Sequence, residues 1–383
     1  MRKMELYVHI PFCVQKCSYC DFLSMTAEST VKQAYIRKLR EAIRQRSQNF
    51  ADREVISVFL GGGTPSILYG QQIVDIMNTV RACFHVSPDA EVTIECNPGT
   101  LTAEKLEYYK RAGINRLSIG LQSAQDKELQ LLGRIHTYED FLASYDCARK
   151  NGFNNINVDL MSALPGQTLK SWEQTLKRVI MLRPEHISAY SLIIEEGTPF
   201  HKLYGYDDET RKKGEKPLFL PSEEEERQMY QFTKVFLEQK GYKRYEISNY
   251  AKPGRECIHN IGYWTRVDYL GVGLGAASLI DNWRFSNVSN MTEYLKTDFE
   301  DVEYQELTKN QQMEEFMFLG LRMQQGINRG AFLETFGTPV ESVFGEALER
   351  MKQTGLVAEN GGQICLTDLG FDVSNYVFSE LLL

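Results

Sequence analysis

Short apolar runs rich in β-branched residues alternate with amphipathic helical patterns through the first 240 residues, and this rhythm constrains the fold more than any other feature of the chain. Strand-like runs fall at 6–10, 55–60, 91–96, 116–121, 155–161 and 186–193. Between them, residues 31–48 carry Tyr35, Ile36, Leu39 and Ile43 at helical spacing, and 71–84, a segment capped by Thr102, 138–151, 169–181 and 222–240 read as further helices. About six such β–α units predict an α/β fold with a parallel sheet and its helices outside it. Right-handed crossovers taken in chain order curl that sheet into a partial (β/α)6 barrel, with chemistry on the loops that follow the strands.

The alternation stops near Lys240, which divides the chain into an expected core domain, 1–240, and a smaller mixed α+β domain, 241–383. The polar stretch 205–221, with Pro199 before it and Pro221 at its end, reads as a long connection. Beyond 240 come short strands, a glycine-rich stretch (Gly271, Gly273, Gly275), helices from about Gln311, and a hairpin over 356–366 turned by Gly361-Gly362. The end of the chain resembles a winged-helix module.

Composition narrows the function classes. With 43% hydrophobic and 25% charged residues the chain suits a globular protein. Its net charge of −8 and lack of a basic stripe argue against a nucleic-acid partner. No apolar run is long enough for a spanning helix. The N-terminus enters a strand without an apolar leader, so a cytoplasmic location is expected. Eight cysteines fit a reducing compartment with a metal site better than a disulfide framework; Cys83, Cys96, Cys147, Cys257 and Cys365 are scattered and read as buried or bystander thiols.

The densest chemistry is Cys13-x3-Cys17-x2-Cys20. Three thiolates at this spacing can wrap one [4Fe–4S] cluster and leave one iron open, able to chelate the amino and carboxylate groups of S-adenosylmethionine. A zinc site or three unrelated buried thiols are the alternatives; structural zinc usually takes four ligands, and no matching second pair is visible. Gly61-Gly62-Gly63-Thr64-Pro65 after the second strand lets a ligand approach the backbone, or is simply a tight turn. Glu95 and Asp159 are strand carboxylates suited to a ribose or an ammonium, and Gln122 and Arg134 could meet a carboxylate or adenine; each taken alone is as readily a salt bridge or cap. His259-Asn260-x2-Tyr263-Trp264 offers an imidazole beside aromatics, as haem requires, but by residue type alone a core histidine is the better reading.

Several segments together resemble the radical-SAM coproporphyrinogen oxidase-like family. They are Tyr7-Val8-His9-Ile10-Pro11-Phe12-Cys13 with Cys17, Tyr19 and Cys20, residues 61–66, 94–99, 119–123 and 132–136, and Asp-Leu-Met-Ser-Ala-Leu-Pro-Gly-Gln at 159–167. The resemblance implies a radical-SAM barrel with Cys13, Cys17 and Cys20 as cluster ligands. It also implies that Tyr7, Tyr19, Gly62, Gly63, Thr64, Glu95, Gln122, Arg134 and Asp159 line S-adenosylmethionine.

The family holds an oxygen-independent coproporphyrinogen III oxidase branch and a haem-chaperone branch. Phe22 stands where the oxidase pattern has a further cysteine, six residues precede Tyr7 where the oxidase has a long extension, and His259 to Trp264 fits the chaperone pattern. The resemblance therefore implies haem as bound cargo, with His259 as its candidate axial ligand, and an acceptor protein for which a membrane-associated haem enzyme is one candidate.

Overall fold

The computed structural model describes residues 1–296, 299 and 301–383. Its first half is a run of β–α units: β1 (Arg2–Ile10), α1 (Ser29–Ser47), β2 (Arg53–Gly62), α2 (Gly70–Cys83), β3 (His85–Cys96), α3 (Ala103–Arg111), β4 (Arg116–Gln122), α4 (Asp126–Leu131), α5 (Tyr138–Lys150), β5 (Ile156–Ser162), α6 (Leu169–Met181) and β6 (His186–Ser191). Helix α1 buries Tyr35, Ile36, Leu39, Ala42 and Ile43, the stripe its spacing predicts. Thr102 caps α3 by accepting from the Lys105 N–H at 3.2 Å. Strands β1 to β6 pair in parallel and in chain order.

Residues 199–306 supply α7 (Pro199–Lys212), α8 (Glu223–Gln239), β7 (Lys243–Arg244), β8 (Asn249–Ala251), α9 (Ile258–Trp264), β9 (Tyr269–Val272), β10 (Ala277–Ile280), β11 (Trp283–Asn287), α10 (Met291–Tyr294) and β12 (Asp301–Glu306). The first half of the stretch read as a long connection, up to Lys212, is helical, because Thr198 caps α7 and Pro199 opens it. The remainder folds back onto α7, where the Asp207 carboxylate accepts from the N–H groups of Leu218, Phe219 and Leu220 at 2.5–2.8 Å.

The change at residue 240 is one of strand direction, and the sheet does not end there. Strand β9 pairs in parallel with β1 while β8 pairs antiparallel with β6, giving one twelve-stranded sheet in the order β12-β11-β10-β9-β1-β2-β3-β4-β5-β6-β8-β7. The reason is that both outer edges of the six-stranded sheet carry unpaired backbone groups. Leu270 and Val272 close one side and join the main apolar core.

A separate core begins with Met313 and runs to Leu381. It belongs to α11 (Lys309–Gly320), β13 (Ile327–Asn328), α12 (Arg329–Phe336), α13 (Glu341–Gln353), β14 (Val357–Asn360), β15 (Gln363–Leu366), α14 (Asp368–Asp372) and α15 (Ser374–Ser379). Helices α12 and α13 followed by the β14–β15 hairpin have the winged-helix arrangement, and Gly361 and Gly362 turn the hairpin with φ of 56° and 87°. Among the described residues no helix is long and apolar enough to cross a membrane.

Candidate functional site

The loop after β1 is tied down at its ends and in its middle. The N–H of Cys13 donates to the Met25 carbonyl at 2.9 Å and that of Met25 to the Pro11 carbonyl at 2.7 Å. Ser18 donates to Leu132 O and accepts from the Phe200 N–H, each at 3.0 Å. Gly133, at φ +74°, permits this approach: a Cβ there would lie 3.0 Å from Ser18 Oγ. The loop thus presents Cys13, Cys17 and Cys20, all half-buried, to one cavity of about 390 Å³.

The other walls come from the C-terminal ends of the parallel strands, where this architecture places its chemistry. Gly62 ends β2 with Gly63 and Thr64 after it, Glu95 lies at the end of β3 with Asn97 just beyond, Gln122 ends β4, Asp159 lies in β5 and Tyr190 in β6; Tyr19 and Arg134 complete the wall. Gly62 has φ +115° and rests on the ring of His9, where a Cβ would sit 2.4 Å from the nearest atom, so glycine is required. Its N–H donates to Glu95 Oε2 at 3.0 Å. Gln122 is itself left-handed (φ 70°) beside an irregular register, and its side-chain oxygen accepts from the Tyr190 hydroxyl at 2.9 Å.

Arg134 organises the cysteine side. Its guanidinium donates to Cys17 Sγ at 3.6 Å, Asn97 Oδ1 at 2.8 Å and Gly120 O at 2.7 Å. Asn97 in turn donates to Thr64 Oγ1 at 2.8 Å, and Thr64 donates to Cys13 Sγ at 3.5 Å. Across the cavity, burial and the neighbouring Asp159 push the Glu95 carboxyl up to about 8, and burial also raises Asp159.

Cys96 is the only further thiol in the described wall. It is buried and donates to the Ile94 carbonyl at 3.6 Å, and burial with Glu95 beside it raises its titration far above the usual range. Buried and bonded to the Ile94 carbonyl, Cys96 is set apart from the three half-buried cysteines of the loop, which remain as the thiolate donors. Among the described residues no three His, Cys, Asp or Glu side chains converge tightly enough to hold a single ion. Thiolates serving separate corners of one cluster need not converge. The donor set fits a three-cysteine cluster.

Two expected site residues lie elsewhere. Tyr7 is behind the glycine loop, where its hydroxyl bonds His9 Nδ1 at 3.0 Å and its ring stacks on Phe59; it is not part of the cavity wall. His259 is 2% exposed and stacks on Phe59 with ring centroids 5.0 Å apart. Its Nδ1 bonds Ser57 Oγ at 2.8 Å and its Nε2 bonds the Tyr263 hydroxyl at 3.2 Å. With both nitrogens bonded and the ring buried, it presents no free nitrogen to a haem iron in this structure, an environment that matches a core histidine. Conversely, sequence reasoning misses Asn97, Ser118 and Tyr190 in the wall. For Asn97 and Tyr190 the signal was their position at the C-terminal ends of strands three and six, whereas Ser118 lies early in strand four and carried no such mark.

Comparison with known proteins agrees with this geometry. The Radical SAM superfamily matches residues 7–179, and the HemN C-terminal domain matches residues 307–373. "Heme chaperone HemW" of Bacillus subtilis (strain 168) is 37% identical over 381 residues, covering 98% of both chains. The chain belongs to the HemW family. HemW of Lactococcus lactis subsp. lactis (strain IL1403) is 34% identical, with 98% of this chain and 97% of that one covered. Among solved structures, the radical-SAM enzyme coproporphyrinogen III oxidase (HemN) from Escherichia coli superposes with a TM-score of 0.84 at 26% identity, covering 99% of this chain and 90% of that one. The chain thus shares its fold with that oxidase, including the C-terminal module, whose match at 307–373 covers most of the separate core.

Proposed function

We propose that this protein is a haem chaperone that carries a [4Fe–4S] cluster on Cys13, Cys17 and Cys20, binds S-adenosylmethionine in the same cavity, and passes haem to an acceptor protein. The observation that carries the cofactor reading is the opening of three cysteines, and no other available thiolate, onto one cavity rimmed by strand ends. When bound, the cluster and S-adenosylmethionine would supply one-electron chemistry.

The chain's own groups divide the work of holding them. Arg134, Asn97 and Thr64 brace two of the three sulfurs. Glu95 and Asp159 form an acidic wall complementary to an ammonium and to ribose hydroxyls. Gly62 and Gly63 allow the ligand to reach the backbone, and Gln122, fixed by Tyr190, and Tyr19 complete the surround. Two exposed apolar side chains, Phe22 and Ile193, line the cavity at 64% and 67% exposure, beside the exposed charges of Lys16 and Asp21. Phe22 stands where the oxidase resemblance calls for a further cysteine. The names of the relatives at 34–37% identity support haem as cargo.

The structural likeness to coproporphyrinogen III oxidase supplies the second reading, oxidative decarboxylation of a porphyrinogen. One experiment separates them. Protein reconstituted anaerobically should hold about four irons per chain, lost in Cys17→Ser, and give a reduced EPR signal that changes with S-adenosylmethionine. Haem should then produce a stable Soret band, while coproporphyrinogen incubated with S-adenosylmethionine and electrons should be returned intact. Robust protoporphyrinogen formation would favour the oxidase, and stoichiometric zinc in place of iron would remove both readings.

A further inference from the structure

Behind the cavity, a chain of buried hydrogen bonds runs from Asp159 to the start of α9. Asp159 Oδ2 accepts from Ser118 Oγ at 3.0 Å, and Oδ1 accepts from Asn157 Nδ2 at 2.7 Å. Asn157 Nδ2 also donates to Ser118 Oγ at 2.8 Å. Asn157 Oδ1 lies 2.6 Å from His186 Nδ1, and His186 Nε2 lies 2.8 Å from the Tyr245 hydroxyl. That hydroxyl accepts from the backbone N–H of Cys257 at 3.4 Å. His186 is 0% exposed and Asn157 2%.

The direction of every link follows from the chemistry of the groups. The amide nitrogen of Asn157 must face the carboxylate, because the reverse orientation would set two acceptors against each other. Its oxygen then faces His186, which must donate from Nδ1 over the shorter distance of 2.6 Å, and it also accepts from Ser188 Oγ at 3.2 Å. The neutral ring, kept so by burial with Arg116 nearby, accepts at Nε2 from Tyr245. A backbone N–H, a phenol, one imidazole tautomer and one amide orientation thus point in sequence toward a single cavity carboxylate.

We propose that His186 is a positioning residue for S-adenosylmethionine: acting through Asn157, it fixes the carboxylate of Asp159 in the orientation that accepts the ligand's hydroxyls. The inference rests on the reading that this cavity holds S-adenosylmethionine. His186 touches nothing in the cavity, and its contribution is to hold Asn157 so that both amide hydrogens are spent on Ser118 and Asp159. The carboxylate so held lines the cavity.

Two substitutions at one position separate this role from simple packing. His186→Asn keeps a donor where Nδ1 was, whereas His186→Gln keeps a partner for Tyr245 and loses the donor toward Asn157. Dissociation constants for S-adenosylmethionine would be read from the EPR change of the reconstituted cluster, with iron content and melting temperature measured alongside. His186→Gln should weaken binding roughly tenfold, the value of about one hydrogen bond, and His186→Asn should stay near wild type. Asp159→Asn serves as the reference.

If Asp159→Asn weakens binding but His186→Gln binds as wild type does, the proposal is overturned. Equal losses in both His186 variants also overturn it, because packing alone would act that way. If wild-type protein shows no response to S-adenosylmethionine, the parent reading fails instead. Should His186→Gln not fold, histidine-selective 15N NMR of wild-type protein decides: the Nδ1–H tautomer is expected at His186, and the Nε2–H tautomer would overturn the proposal.

Discussion

Nη1 of Arg134 donates to Sγ of Cys17 across 3.6 Å. A charged donor on a cluster sulfur stabilises the reduced form, so hydrogen bonds of this kind help set cluster potential. Arg134→Gln should shift the reduction potential to more negative values, on the order of tens of mV, with iron content close to wild type. A redox titration followed by EPR measures this; an unchanged potential would mean that Arg134 serves only Asn97 and Gly120.

Glu95 should make ligand binding pH-dependent. Its carboxyl titrates at about 8 in the folded chain, above the ordinary 4.5, through burial and the nearby Asp159. Without ligand the protein therefore loses stability from this group as pH rises from about 4.5 toward 8. A cationic ligand beside Glu95 favours the carboxylate, so binding releases a proton below that pH. Affinity for S-adenosylmethionine should strengthen from about pH 6 to 8 and then level off, and Glu95→Gln should bind more weakly with a flat profile. Calorimetry in buffers of different ionisation enthalpy tests the proton release.

His259 should matter for acid stability and not for haem. Burial, with Arg116 nearby, lowers its titration from 6.5 to about 3, so the folded chain keeps it neutral. Below pH 6.5 the unfolded chain takes up a proton that the folded chain refuses; stability is therefore complete above 6.5 and falls as pH drops toward 3. His259→Gln should flatten that fall by up to about 1.4 kcal/mol per pH unit. At pH 7.5 it should cost about 1–3 kcal/mol by disturbing the Ser57 and Tyr263 bonds. The Soret band of the folded fraction should not change; its loss would restore the histidine as a haem ligand.

Two left-handed glycines give a contrast in thermal melts. At Gly62 an added Cβ meets the His9 ring at 2.4 Å, whereas at Gly99 (φ +81°) nothing lies within 4 Å. Gly99→Ala should cost about 1 kcal/mol from backbone strain alone. Gly62→Ala should cost at least about twice that and also blunt the response to S-adenosylmethionine.

Local periodicity revealed what local physics decides. The stripe from Tyr35 to Ile43, the Thr102 cap, the position of Cys13, Gly62, Glu95 and Gln122 at or just after strand ends and that of Asp159 within the fifth strand were all legible, because each depends on neighbours in the chain. The pairing of β9 with β1 was not, since a four-residue strand carries no mark of its distant partner. Tyr7 and His259 were misplaced for a related reason: motif spacing does not say which side of the glycine loop a ring will occupy. Asn157 and His186 were passed over because a buried polar residue in a strand looks, in sequence, like an interruption of its apolar run.

The β1–β9 pairing also bears on how the protein is made. A ribosome extends a chain N-terminus first, at about 5–20 residues per second. Strand β1 emerges early, but the strand that covers its outer edge begins only at Tyr269. For an interval on the order of tens of seconds the nascent chain must keep that edge from pairing wrongly. The cysteine loop hangs from the end of this same strand, so metal loading should follow release of the chain, and truncation at residue 240 should yield an aggregating fragment without a working centre.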